Sequence, residues 1–93
     1  MTHEELVGAL RGIDGLVDIG IDPPNFDFRG RPFLHFHRND EGTYADVRLG
    51  TGDFEPVWAS TPRERLELLS RVADHVERLD RTRKSRDRRS RRR

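Results

Sequence analysis

Two runs of strict alternation, Phe33-Leu34-His35-Phe36-His37 and Tyr44-Ala45-Asp46-Val47-Arg48-Leu49, limit what this chain can become more than any other feature. Successive side chains of a strand point to opposite faces, so each run sorts itself into an apolar side and a polar side. The segment between them, Arg38-Asn39-Asp40-Glu41-Gly42-Thr43, is rich in turn residues, and an antiparallel hairpin follows. With the turn centred between Asp40 and Glu41, His37 faces Tyr44, His35 faces Asp46 and Phe33 faces Arg48. Leu34 and Phe36 then join Ala45, Val47 and Leu49 on the other face. A slip of one residue would bring Val47 beside the histidines, so the apolar pattern selects this register.

The remaining elements arrange themselves around that hairpin. Thr2 and Glu5 have the spacing of a capping box, and Leu6, Val7, Leu10 and Ile13 recur at helical intervals until Gly12 and Gly15 close the helix. In Leu16-Val17-Asp18-Ile19-Gly20-Ile21 the alternation predicts a strand that buries Val17, Ile19 and Ile21. The prolines of Asp22-Pro23-Pro24-Asn25 force a loop. Phe26-Asp27-Phe28 resumes the strand pattern. A three-residue loop, Arg29-Gly30-Arg31, would put Phe26 and Phe28 on the face of Leu34 and Phe36. Phe54 to Ala59 can form a last strand at a sheet edge, because Pro56 has no N–H for a ladder. Thr61-Pro62-Arg63-Glu64 is a second capping box with proline at the first helical position. The helix it starts carries Leu66, Leu69, Val72, Ala73, Val76 and Leu79, and should fade near Asp80.

The predicted order is helix, antiparallel meander of four to five strands, helix. Only one sheet face is apolar, so both helices should lie on it in an α+β two-layer sandwich. The expected core is Leu6, Leu10, Ile13, Val17, Ile19, Ile21, Phe26, Phe28, Leu34, Phe36, Val47, Leu49, Leu69, Val72 and Val76.

Charge divides the chain in two. Residues 1–80 hold nine arginines against sixteen carboxylates, a net of −7, and residues 81–93 hold eight arginines and one lysine against one aspartate, a net of +8. The first part is expected to be a single α+β domain. The second has no apolar residue to bury and is expected to be a basic disordered tail. With no cysteine among 93 residues, disulfide scaffolds, cysteine zinc ribbons and thiol enzymes are excluded. No apolar run approaches the ~18–20 residues of a membrane span. A soluble, cytoplasmic protein is the expectation, with no membrane partner.

His35 and His37 project from one face, with Asp46 opposite His35, so two imidazoles and a carboxylate share a patch. Such a set could hold a divalent metal or serve a general base, and a metal-dependent or His-assisted enzyme centred on His35, His37 and Asp46 is the alternative reading. The preferred reading is a binding surface formed by Phe33, His35, His37, Tyr44, Asp46 and Arg48. An uncovered sheet face bearing aromatic residues suits a partner, first of all a homodimer. No nucleophile motif, phosphate-binding glycine loop or paired carboxylates appear, and neither catalytic residues nor a cofactor are expected. His3 and His75 lie on the two helices without an evident partner, and Trp58 reads as a packing residue. In the tail, Arg81, Arg83, Lys84, Arg86, Arg88, Arg89, Arg91, Arg92 and Arg93 are suited to nonspecific contact with nucleic acid or an acidic protein. No aromatic interleaves them, so base stacking is not offered.

The stretch Gly30-Arg31-Pro32-Phe33-Leu34-His35-Phe36-His37, followed by Gly42 and Ala45-Asp46-Val47-Arg48-Leu49, resembles the central block of a small prokaryotic domain family labelled luciferase-like. That family places a phenylalanine before a His-x-His strand, continues with a strand bearing an aspartate, and ends in a helix. The resemblance covers about residues 28–49. It implies the same order of elements and singles out His35, His37 and Asp46; it implies neither light emission nor any other activity. The family's segment between the aspartate strand and the final strand is missing here. Gly30, His35, His37, Glu41 and Gly50 also resemble the first cupin motif, from which both glycine spacings depart, and no second motif follows.

Overall fold

The computed structural model describes residues 1–20, 23–50 and 52–90, the last nine of these in backbone only. Helix α1 (His3–Arg11) begins at the expected capping box: Thr2 Oγ1 accepts from Glu5 N at 3.1 Å and Thr2 N donates to Glu5 Oε1 at 2.8 Å. Five antiparallel strands follow, β1 (Leu16–Asp18), β2 (Asn25–Phe28), β3 (Arg31–Asn39), β4 (Gly42–Val47) and β5 (Glu55–Trp58), and then helix α2 (Pro62–Ser90). The sheet order is the chain order, an unbroken meander with β1 and β5 at its edges. This is the α+β, helix–meander–helix architecture that the patterning predicts.

The β3–β4 hairpin has the expected register, with His35 opposite Asp46, His37 opposite Tyr44 and Asn39 opposite Gly42. Its two-residue turn, Asp40-Glu41, is held by Asn39 Oδ1, which accepts from the backbone N–H groups of Glu41 and Gly42 at 2.9 and 3.1 Å. Both helices cover one face. Leu6, Val7 and Leu10 of α1 and Leu68, Val72 and Val76 of α2 are buried with Phe26, Phe28, Leu34, Phe36, Ala45 and Val47 of the sheet.

Four expectations need correction. The β2–β3 connection is a two-residue turn, with Phe28 opposite Arg31 and positive φ at Arg29 (55°) and Gly30 (76°). The extra residue sits instead in a bulge: Asp27 pairs with Pro32 and Phe26 with Leu34, so Phe33 is left over. Phe26 and Phe28 are buried as expected, but so is Phe33, which packs against Phe28 with ring centroids 5.6 Å apart. It therefore leaves the exposed face on which the alternation places it.

The second correction is in β1, where the inward residue is Leu16, opposite Phe28, while Val17 and Ile19 are exposed. The ladder stops after three residues because the Asp18 carboxylate accepts from Gly20 N at 2.8 Å and from Arg11 Nε at 2.7 Å, which turns the chain. Ile21 lies outside the described residues. Third, the buried spine of α2 is Leu68, Val72 and Val76; Leu66 is exposed and Leu69 only half-buried. Fourth, α2 does not fade at Asp80. Its backbone runs to Ser90, because no glycine or proline follows Pro62 and arginine and lysine are good helix formers. Residues 91–93, which include Arg91, Arg92 and Arg93, lie outside the described residues.

Candidate functional site

The face of the sheet away from the helices collects the side chains that alternate with the core. Because Asn25 pairs with His35 and Val17 with Asp27, the same face carries Val17, Asn25, Asp27, His35, His37, Tyr44 and Asp46. Strand β5 adds Pro56 opposite Asp46 and Trp58 opposite Tyr44. The aromatic rings run across three strands. His37 stacks on Tyr44 with centroids 5.1 Å apart, and Tyr44 meets Trp58 edge-on at 6.0 Å. His35 stands 6.3 Å from His37 and 5.0 Å from Phe54, whose other neighbour is the Arg48 guanidinium, 4.3 Å from the ring centroid.

Beside this row lies a shallow groove of about 400 Å³ lined by Asn39, Glu41, Tyr44, Asp46, Pro56 and Trp58. Its β5 wall is fixed by Ser60, whose hydroxyl accepts from Thr43 N at 2.7 Å and donates to Thr43 O at 3.0 Å. The α2 capping box starts one residue later. Glu64 Oε1 accepts from Ser60 N and Thr61 N, both at 3.0 Å, and ties the end of β5 to the helix start.

Of the six residues proposed from sequence, five stand together and one does not. His35, His37, Tyr44 and Asp46 share the open face, Arg48 closes its corner, and Phe33 lies beneath the sheet in the core. The carboxylate faces His35 along the backbone but reaches diagonally to His37, with Asp46 Oδ2 3.2 Å from Nε2. That is ion-pair distance without hydrogen-bond alignment, since the buried Nε2 has no aligned partner.

His35 packs on Phe54 and His37 on Tyr44. Among the described residues no group of three His, Cys, Asp or Glu is placed to hold a metal ion. The metal reading of His35, His37 and Asp46 therefore lacks a converging third ligand. Phe54 and Trp58 were missed as members of the surface. The alternation of Pro56 with Trp58 was the available signal, obscured because a lone tryptophan beside a helix usually packs inward.

The two remaining histidines belong to the covered side. His75 stacks on Phe33 at 5.7 Å, and its pKa is held below the usual value by burial and by the charges of Arg78 and Arg29. His3 meets Phe36 edge-on at 5.1 Å and is lowered in the same direction, chiefly by burial.

No family model, curated protein or solved structure matches this chain. The site must therefore be read from its own chemistry. Among the described residues no helix is long and apolar enough to cross a membrane. Of the basic segment, Arg81 pairs with Glu77 one turn back, and Arg83, Lys84, Arg86, Arg88 and Arg89 continue α2.

Proposed function

We infer that this chain is a small interaction module that works through the helix-free face of its sheet, with a second copy of itself as the partner. One observation carries the reading: the ring row His35–His37–Tyr44–Trp58 stands on the sheet face opposite the helix-covered core, and Trp58 is 44% exposed. One further apolar residue reaches the same side, Val17 at 58% exposure. Apolar area of this kind is stabilised by burial against a complementary surface. The face also carries both signs of charge, Asp27, Glu41 and Asp46 with Arg48. A two-fold axis can set such a surface against itself, acidic parts on basic parts.

The basic end of α2 would add nonspecific contact with a polyanion, through phosphate rather than base recognition. The absence of cysteine suits a cytoplasmic setting. The likeness to the luciferase-like family supports the His35, His37 and Asp46 surface as the working face and adds no reaction.

Sedimentation of the full chain between about 10 μM and 1 mM, with Trp58 emission followed in parallel, tests the dimer. The sole tryptophan should shift to the blue as association proceeds, and Trp58→Glu or Tyr44→Glu should leave a folded monomer. A monomer throughout that range, or unchanged association in both variants, would overturn the proposal.

A further inference from the structure

On the far side of Arg48 a second cleft, of about 440 Å³, opens between the end of the β2–β3 hairpin, Gly52 and the α2 turns bearing His75 and Leu79. Its walls divide by chemistry. Phe28, Pro32, Phe33 and Leu79 form an apolar base, and Arg29, Arg31 and Arg48 form a cationic rim.

The three guanidinium groups are unevenly engaged. Arg29 lies 5.0 Å over the Phe28 ring and 3.9 Å from the Asp80 carboxylate, the outer limit of an ion pair. Arg48 rests on Phe54, while its Nε is buried without an acceptor. The Arg31 side chain has no ion pair or hydrogen bond among the described residues. His75 stacks on Phe33 and is biased toward its neutral form, so the arginines supply the cleft's positive charge.

We propose that this cleft binds a small organic anion with an aromatic or apolar body, its carboxylate or phosphate held by Arg31 and Arg48 and its body resting on Phe33 and Leu79. Planar guanidinium forks suit both anions, and the volume lies in the range of small-molecule sites. The site does not depend on the self-association proposed above, since only Arg48 borders both surfaces.

Phenyl phosphate titrated into the isotope-labelled full chain, followed by amide NMR, tests the proposal. Shifts should concentrate at residues 28–33, 48, 52, 75 and 79. Arg31→Gln should weaken binding about tenfold, as expected for loss of a charged hydrogen bond, while thermal unfolding stays unchanged. Inorganic phosphate and benzyl alcohol should each bind more weakly than phenyl phosphate, because each lacks one half of the recognition. Shifts confined to the basic segment 81–93, no shift at 10 mM ligand, or identical titration of Arg31→Gln would each overturn the proposal. Equal binding of inorganic phosphate would overturn the role given to the apolar base.

Discussion

Replacing Gly42 with alanine tests how the groove wall is held. Gly42 begins β4 with φ at +137°, and a Cβ placed there would overlap Ser60 Oγ and lie 3.1 Å from Ser60 Cβ. Ser60 cannot withdraw freely, because its hydroxyl exchanges two hydrogen bonds with Thr43. The substitution therefore combines a backbone cost of about 1–3 kcal/mol for a conformation that side chains resist with loss of the Ser60 bonds, at about 1 kcal/mol each. The expected total is about 3–5 kcal/mol, or a fall in Tm of roughly 12–40 °C for a domain of this size.

Urea unfolding read by Trp58 fluorescence gives the free energy, and the probe sits on the strand in question. A double-mutant cycle with Ser60→Ala separates the two costs. Removing the hydroxyl alone loses the hydrogen bonds, and in that background Gly42→Ala should retain only the backbone cost. The double variant should thus be about 1–2 kcal/mol more stable than the two single effects added together. A Gly42→Ala protein within about 0.5 kcal/mol of the parent, or an additive cycle, would refute the reasoning.

Phe33→Ala should cost about 3–5 kcal/mol in the same unfolding assay if the ring is a core residue; a change below about 1 kcal/mol would return it to the exposed face. Stability should also fall with acidification. His3 and His75 have folded pKa values below the ordinary 6.5, so their stabilising contribution is complete above that value and is lost as pH falls through the folded pKa. Tm measured from pH 8 to 5 should drop, and less in His75→Gln; a flat profile would contradict the burial of both rings. The carboxylates of Glu5 and Asp18, also lowered, contribute their losses at more acidic pH. Finally, the full chain should bind arbitrary duplex DNA at low salt, with log affinity falling about 0.9 per phosphate neutralised against log salt. A chain ending at residue 80, with a net charge of −7, should not bind, and equal binding by it would exclude the basic segment as the contact.

The hairpin register, both capping boxes and the helix–meander–helix order were legible because each rests on a local pattern that only one arrangement satisfies. Phe33 shows where such reading stops. A three-residue loop and a two-residue turn with a bulge place Phe26 opposite Leu34 equally well, so alternation beyond the turn cannot distinguish them. They differ in where the odd residue sits. The bulge admits Phe33 to the core, worth about 1.5–3 kcal/mol, against about 1–2 kcal/mol for Arg29 in the left-handed region. That comparison depends on α2 and His75 lying above the strand, which no local pattern contains. In β1, both parities of Leu16-Val17-Asp18-Ile19 offered apolar residues, and the side-chain bonds of Asp18 decided between them. Of the candidate site, the histidines and their facing strand were readable; the contributions of Phe54 and Trp58 depended on how β5 docks.

Helix α2 has no built-in stop. Its last half-buried apolar residue is Leu79, yet the backbone stays helical for eleven residues more. Over that stretch, helix propensity favours continuation, and the net positive charge of the sequence opposes it. Added salt weakens repulsion between exposed charges, while propensity is unaffected. The length of this helix is thus a variable of the solution as well as of the sequence: the folded body anchors one end, and the ionic atmosphere sets how far the other end propagates.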